Sequence, residues 1–305
     1  MTQKVPIDFL FEGSIPTRAD LVVAAQFPRA SRKTIARLFS DGVVAIEGKK
    51  AKKGDSVPPG SRVTLSALPL SENEKRPVAN PTLVVPVLFE DESIIAVNKP
   101  ANCHCHPIEP GENGTVANFL AAHFPVCLPS SDDPREGGLV HRLDKDTTGV
   151  LIAAKSQSVW RRFRDCFRDG VIQKQYLALV SGKVGSNSVE KPILQKGSRA
   201  ITDDAGLPAS TSWEPLEHLP AHTLLRCSSR TGRRHQIRLH LAEKGHPIAG
   251  DHLYGGEELK HAATHGQFLH AESMSFPHPI TGTTTKIDAP LSEQQNELLE
   301  KLRRS

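Results

Sequence analysis

From Val150 to Ala154 the chain runs through five consecutive apolar residues with no polar alternation. A short, branched-rich run of this kind predicts a strand covered on both faces. Other strands are predicted over Val84–Leu88 and Ile94–Val97, joined by the acidic turn Glu90-Asp91-Glu92. Thr211–Glu214 and Thr223–Ser228 follow as an antiparallel pair. In Lys174–Val180 the residues Tyr176, Ala178 and Val180 share one face. Helical spacing appears over Val116–Phe124, with Val116, Leu120 and His123 on one stripe. It recurs at Val159, Trp160, Phe163, Cys166 and Phe167, with Gly170 as the stop, and over Leu291–Leu302. A further helix is expected to open at Gly232 and run to about Lys244, with Ile237 and Leu241 as its seam. Residues 187–208 are polar and poorly patterned.

The first 70 residues follow a different plan. Residues 18–27 and 31–39 predict two short amphipathic helices, the second with Ser31 as N-cap and Ile35, Ala36 and Phe39 as its seam. Asp41-Gly42 breaks that helix, Val43–Ile46 and Arg62–Leu68 read as strands, and Gly48-Lys49 as a tight turn. Residues 71–83 mix prolines with alternating charges and are expected to be a linker between a head, 1–70, and a body, 84–305.

Charge sharpens this division. The whole chain of 305 residues carries +4, yet residues 1–70 hold 11 Lys/Arg against 6 Asp/Glu, which leaves the body slightly acidic. A small basic head on a near-neutral body suits a polyanionic partner, and Arg32, Lys33, Arg37 and Lys49 are the candidate phosphate contacts. No stretch approaches a membrane span, and the N-terminus lacks the apolar run of a signal peptide. The five cysteines are odd in number and scattered, which argues against a disulfide framework and for a reducing, cytoplasmic setting.

Candidate chemistry concentrates in two segments. His141, Arg142, Asp144, Lys145 and Asp146 crowd a loop bracketed by Gly138 and Gly149, immediately before the buried strand. Ionisable groups against a buried strand are costly unless paired or used. The plain alternative for Asp144 is a turn residue that caps backbone amides. The second segment is Arg230–His240. If the helix opens at Gly232, Arg233 and Arg234 fall in its first turn, where the macrodipole disfavours cations and an incoming phosphate would resolve the conflict. Cys103-His104-Cys105-His106 suggests a zinc site at first sight. Adjacent ligands in an extended segment point to opposite sides and no second cluster has suitable spacing, so it reads as a loop with incidental His and Cys.

His141-Arg-Leu-Asp-x-x-Thr-Thr-Gly-Val150 closely resembles the signature of the RluA-type pseudouridine synthases, departing only at Thr148 for Ser and Val150 for Leu. Thr231-Gly-Arg-x-His-Gln-Ile-Arg-x-His240 resembles that family's third motif, and Lys174-x-Tyr-x-Ala-Leu-Val180 its strand tyrosine. Asn98-Lys-Pro-Ala101 is similar to a further motif, except that Asn102 stands where the family has glycine. The resemblance covers about residues 84–283. Residues 18–68 more loosely resemble the small RNA-binding domain named after ribosomal protein S-four.

The resemblance implies an α+β body with a mixed, mainly antiparallel central sheet and flanking helices, the pseudouridine synthase fold. A small N-terminal α/β RNA-binding domain precedes it. It also implies the catalytic set Asp144, Tyr176 and Arg238, with Arg238 paired to the aspartate and Tyr176 against the target base. Arg142 would hold the flipped nucleotide, and His141, Arg233 and Arg234 would contribute to RNA contacts. Gly250-Asp-His-Leu-Tyr-Gly255 and Leu269-His-Ala271, also familiar from the family, read as supporting structure. Whether Asp144 attacks the sugar or takes a proton from it stays open. Isomerising uridine requires no metal, nucleotide or redox cofactor, and no Walker loop or dinucleotide fingerprint is present. The expected substrate is large-subunit ribosomal RNA, with tRNA as the alternative, and the expected state is a monomer. A different class of reading is a non-catalytic RNA-binding or ribosome-assembly protein on the same fold; a metal-dependent hydrolase using the Cys-His loop is a third.

Overall fold

The computed structural model describes residues 6–28, 30, 32–67, 76–109, 111–259 and 266–304. The chain separates into two compact units, Met1–Arg76 and Pro77–Ser305.

The smaller unit contains β1 (Ile7–Leu10), β2 (Thr17–Arg18), α1 (Ala19–Gln26), α2 (Arg32–Ser40), β3 (Val44–Ile46), β4 (Lys49–Lys50), β5 (Ser56–Val57) and β6 (Arg62–Leu65). Four strands form a sheet in the order β1-β6-β3-β4, and β2 pairs with β5. Its core joins Val22 and Val23 of α1 to Ile35, Leu38 and Phe39 of α2 and to Val44, Val57, Val63 and Leu65. The tight turn centres on Glu47-Gly48, both at positive φ (48° and 75°), one residue earlier than expected. That geometry joins β3 to β4 as a hairpin and puts Lys49 and Lys50 in exposed positions. The expected cap Ser31 and the side chain of Lys33 lie outside the described residues.

The larger unit runs β7 (Val87–Glu90), β8 (Ile94–Lys99), α3 (Val116–His123), β9 (Thr148–Ala154), α4 (Gln157–Arg168), β10 (Gln173–Ser181), β11 (Asn187–Glu190), β12 (Ile193–Lys196), β13 (Arg199–Thr202), β14 (Ser210–His218), β15 (His222–Ser229), α5 (Gln236–Glu243), β16 (Leu269–Pro277), β17 (Thr284–Asp288) and α6 (Glu293–Arg304). The main sheet has the order β11-β14-β15-β10-β16-β9-β8-β7, with β17 also on β16. Every pairing is antiparallel except β9 with β16. No helix among the described residues is long and apolar enough to cross a membrane.

All seven residues of β9 are buried, as its unbroken apolar run predicts. Leu151 and Ala153 pack toward α3, while Val150, Ile152 and Ala154 pack toward Val159, Trp160 and Phe163 of α4. Gly149 sits at φ +110°, and a Cβ there would lie 2.2 Å from the carbonyl oxygen of Ala271. The close β9–β16 approach at this point therefore requires glycine. Beside it, Thr148 Oγ1 bonds His270 Nδ1 (2.7 Å), and His270 Nε2 bonds the carbonyl of Ala289 (3.0 Å). His270 thus fixes the start of β9 against β16 and the chain beyond it.

Several expectations change. Residues 77–83, expected in the linker, are held on the larger unit: Asn118 Nδ2 donates to the Val78 carbonyl and Asn80 Nδ2 to the Asn113 carbonyl. The strand expected at Val84–Leu88 begins only at Val87. Residues 187–208 form three short strands, and β12–β13 is a hairpin whose alternation is hidden by its polar residues. The helix expected from Gly232 begins at Gln236. Residues 231–235 instead form a loop organised by the Gln236 amide. Its Oε1 accepts from Thr231 Oγ1 and the Arg233 N–H, and its Nε2 donates to Ser210, Thr211 and Ser229. Arg233 and Arg234 therefore precede the helix, and the expected clash with its dipole does not arise.

Candidate active site

The loop between Val140 and Thr147 carries Asp144 at the edge of a cleft of about 230 Å³. His104, His106, Ile108, Arg142, Arg234, His235, Arg238, Leu253 and Gln267 share the lining. Arg238 projects from the first turn of α5, and its Nη1 donates to Asp144 Oδ2 at 2.8 Å. Its other edge grips Asp251, with Nε to Oδ2 at 2.7 Å and Nη2 to Oδ1 at 2.8 Å. One planar guanidinium thus links two carboxylates, a geometry an ammonium could not reproduce. Asp251 is 1% exposed, so its charge depends on Arg238 for compensation. Burial works against the Arg238 charge, but the bonds and charges of Asp251 and Asp144 outweigh it and push its pKa up.

Asp144 Oδ2 is held by the guanidinium. Among the described residues Oδ1 accepts no hydrogen bond, and His235 Nε2 lies 3.8 Å from it, beyond hydrogen-bond reach. The carboxylate therefore has one anchored oxygen and one oxygen available at the cleft.

The backbone on both sides of Asp144 is pinned from below. Cys105 is buried; its Sγ accepts from the Leu143 N–H (3.1 Å) and donates to the Leu143 carbonyl (3.2 Å). Lys99, at 0% exposure, donates from Nζ to the carbonyls of Pro100 (2.9 Å), Cys103 (2.6 Å) and Lys145 (2.7 Å). Burial lowers its pKa, opposed by the nearby Cys105, Cys103, Asp146 and Asp144. The Cys103 N–H also reaches the Lys145 carbonyl, at 3.1 Å. Asn102 adopts φ +53°, the left-handed conformation a glycine would take with less strain, so its substitution preserves this loop. The Cys-His-Cys-His segment is therefore not incidental: it shapes the floor and one wall of the cleft. The signals for this were a lysine terminating an apolar strand and a proline fixing the chain after it.

The remaining expected site residues are placed as follows. Tyr176 is half-buried on β10 and packs between two core clusters. Burial, and then the charge of Asp144, push its phenol pKa up, so it is a protonated group. His141 is turned inward: its Nε2 accepts from the Ile152 N–H at 3.1 Å. Burial and Lys174 push its pKa down to about 3, so it is a neutral acceptor for the backbone of β9. Arg142 is exposed at the cleft. Arg233 Nε donates to the Pro208 carbonyl and Arg234 Nη1 to the Gly197 carbonyl, which ties both to the segment 193–208. Arg32, Arg37 and Lys49 belong to the separate smaller unit; Arg37 pairs with Asp41 at 3.3 Å.

Sequence reasoning missed Asp251 and Tyr254 by assigning their segment to support. It also missed Lys174, whose Nζ donates to the Thr231 carbonyl at 2.7 Å and whose pKa burial pushes down to about 8. The Tyr254 hydroxyl bonds His235 Nδ1 (3.0 Å), and its ring lies 5.4 Å from the Arg238 guanidinium carbon.

The sequence profile of the family described as RNA pseudouridylate synthase matches residues 93–243, which span the cleft-forming segments from β8 to α5. Ribosomal large subunit pseudouridine synthase D of Escherichia coli strain K12 is 33% identical over 320 residues, covering 99% of this chain and 96% of the relative. Ribosomal large subunit pseudouridine synthase C of the same strain is 34% identical over 304 residues, covering 94% and 93%. Among solved structures, Human RNA Pseudouridylate Synthase Domain Containing 4 superposes with a TM-score of 0.57 at 22% identity, over 72% of this chain and 93% of that one. Human RNA Pseudouridylate Synthase Domain Containing 1 gives 0.55 at 21% identity, over 74% and 97%. These two superpositions bear on the fold.

Proposed function

This chain belongs to the RNA pseudouridylate synthase family, and from that premise we propose that it isomerises uridines of large-subunit ribosomal RNA in the cytoplasm, with Asp144 as its catalytic carboxylate. The observation that carries the assignment is the Asp144–Arg238–Asp251 array, which presents one free carboxylate oxygen at an open cleft.

The isomerisation breaks the bond from uracil N1 to ribose C1′ and makes a bond from C5 to C1′. C5 loses a proton and N1 gains one, so no atom or electron is exchanged with a second substrate. Whether a carboxylate attacks C1′ or removes the proton from C2′, it needs a free oxygen and a fixed orientation. Arg238 supplies the counter-charge and the orientation through Oδ2, which leaves Oδ1 to react. To Tyr176, which is not among the cleft-lining residues, the family resemblance gives the place against the detached base, and burial keeps its hydroxyl protonated as a donor. The target nucleotide must leave its stack to reach this cleft, and the exposure of Arg142 at the lining supports a contact from it to the RNA.

For the smaller unit we propose RNA binding of the S-four type. Its two helices and its exposed Arg32, Lys49, Lys50, Lys52 and Lys53 suit successive phosphates, contacts that position RNA without choosing a base.

The test is to map pseudouridines in ribosomal RNA from cells lacking the gene, then from cells complemented with wild type or Asp144→Asn. One or more large-subunit pseudouridines should disappear, return with wild type, and stay absent with the variant. Restoration by Asp144→Asn would exclude the catalytic assignment. An unchanged pseudouridine map together with a ribosome-assembly defect would favour the non-catalytic reading.

A further inference from the structure

His235 stands beside the reacting carboxylate in an unusual backbone state. It is a non-glycine residue at φ +56°, immediately before α5, and its ring meets that of Tyr254 edge-on with centroids 5.7 Å apart. Strain at a position touching a catalytic group raises the question of what the ring is held to do.

The hydrogen bonds around Tyr254 set the protonation of the His235 ring. The hydroxyl has three partners: the Ala200 N–H at 3.0 Å, the Ala200 carbonyl at 3.1 Å, and His235 Nδ1 at 3.0 Å. A backbone N–H can only donate, and a carbonyl can only accept. The single hydroxyl proton is therefore assigned to the Ala200 carbonyl, which belongs to a residue 1% exposed. His235 Nδ1 must then supply its own proton to the hydroxyl oxygen. This fixes the neutral ring as the Nδ1–H tautomer and leaves Nε2 as a bare lone pair, 3.8 Å from Asp144 Oδ1.

Among the described residues no donor faces this lone pair, which lies against a carboxylate oxygen, but a ribose supplies one. If Oδ1 lies at C1′ or at the hydrogen of C2′, the hydroxyl on C2′ is the donor attached nearest to that centre. The ring oxygen on the other side of C1′ carries no proton. We propose that His235 Nε2 accepts a hydrogen bond from the 2′-hydroxyl of the target nucleotide, so that it positions the sugar for Asp144 and makes the site selective for ribose. This inference rests on the functional reading above and assigns His235 to specificity within the same cleft.

The arrangement is sensitive to acid. A second proton on the ring turns Nε2 into a donor to Asp144 Oδ1, which removes the acceptor and occupies the reactive oxygen. Burial holds the His235 pKa below the ordinary value, with Arg238 and Arg234 adding to the effect and Asp144 and Asp251 opposing it. Arg199 also approaches from β13, its guanidinium carbon 5.9 Å from the Tyr254 ring centroid. The ring is thus neutral at pH 7.

Three measurements on the full chain test the proposal. Nitrogen NMR of histidine-labelled protein, with His235 assigned by its loss in His235→Asn, should show Nδ1 protonated and Nε2 bare; the opposite tautomer would overturn it, whatever the protein's activity. Asparagine tolerates left-handed φ, so the variant keeps the loop. Release of tritium from C5-labelled large-subunit ribosomal RNA should give a wild-type kcat/KM with an acid limb that moves to lower pH in His235→Asn, where only the carboxylate remains to be protonated. An identical limb in both would count against the proposal. Finally, 2′-fluoro-2′-deoxyuridine at the mapped target keeps an electronegative substituent and removes the donor. Wild type should lose about tenfold in kcat/KM relative to uridine, and His235→Asn about twofold or less. Equal losses in both enzymes would sink the 2′-hydroxyl assignment. Absence of tritium release by wild type would instead fault the functional reading and leave the tautomer measurable.

Discussion

Arg238 serves Asp144 and Asp251 through different edges of one plane, and a residue with a single charged point cannot keep both contacts at once. Arg238→Lys should therefore retain charge and lose geometry. A displacement of about 1 Å at a reacting group costs on the order of a hundredfold in rate. We expect kcat for tritium release to fall about 10- to 100-fold with KM nearly unchanged. Arg238→Met should go further and destabilise the fold by about 3–5 kcal/mol, since it leaves the buried Asp251 without a counter-charge. Urea unfolding would check this. At this scale the sequence was legible where chemistry sits inside a dense motif. Asp144 and Arg238 stood among several charged neighbours, whereas Asp251 is a single acid after a glycine. Its importance depends on a contact spanning 13 residues that no local pattern encodes.

At the scale of elements, the catalytic loop owes its shape to the segment that precedes it by about forty residues. Cys105 satisfies both backbone groups of Leu143, and Lys99 holds Lys145, so Asp144 lies between two fixed neighbours. Removing the thiol leaves a buried N–H and C=O unmet, each costing about 1–3 kcal/mol. Cys105→Ala should lower stability by at least that amount and Tm by about 2–4 °C per kcal/mol, and kcat should fall as the loop loosens. Cys105→Ser, which can donate and accept at the same place, should recover part of both. A thermal melt with parallel rate measurements decides it. The elements themselves were largely readable: β9 from its unbroken apolar run, α4 from the spacing of Val159, Trp160 and Phe163, and β10 from alternation. Two were not. The α5 start was misplaced because the Gln236 side chain organises residues 231–235 as a loop, an effect of tertiary hydrogen bonds to β14 and β15. The β12–β13 hairpin was missed because its packing is supplied by Leu239 and Tyr254, distant in sequence, and not by an apolar stripe of its own.

For the molecule as a whole, proton and salt dependence follow from where its charges lie. Burial first, aided by Lys174, pushes His141 down to about 3, and burial followed by Arg142 and Arg135 pushes His106 to about 4. Between those values and the ordinary 6.5, the unfolded chain binds protons that the folded chain refuses. Stability therefore rises with pH through that window and is lost as pH falls. Each histidine contributes a slope of up to about 1.4 kcal/mol per pH unit. The urea midpoint should be lower at pH 5 than at pH 7, and His141→Gln, which keeps an acceptor for the Ile152 N–H, should flatten the decline. The smaller unit makes the second prediction. Lys49, Lys50, Lys52 and Lys53 are all exposed within one short stretch around the β4 strand. If they neutralise phosphates, each Lys→Gln change removes about 0.7–0.9 from the slope of log affinity against log salt. The fourfold variant should thus bind ribosomal RNA more weakly at low salt and lose affinity less steeply as salt rises, converging on wild type near 1 M, where the Debye length is about 3 Å. Filter binding across a salt series reads both slopes. Parallel lines would mean that these lysines only solvate the surface, and that the positive excess of the first 70 residues acts elsewhere on that unit.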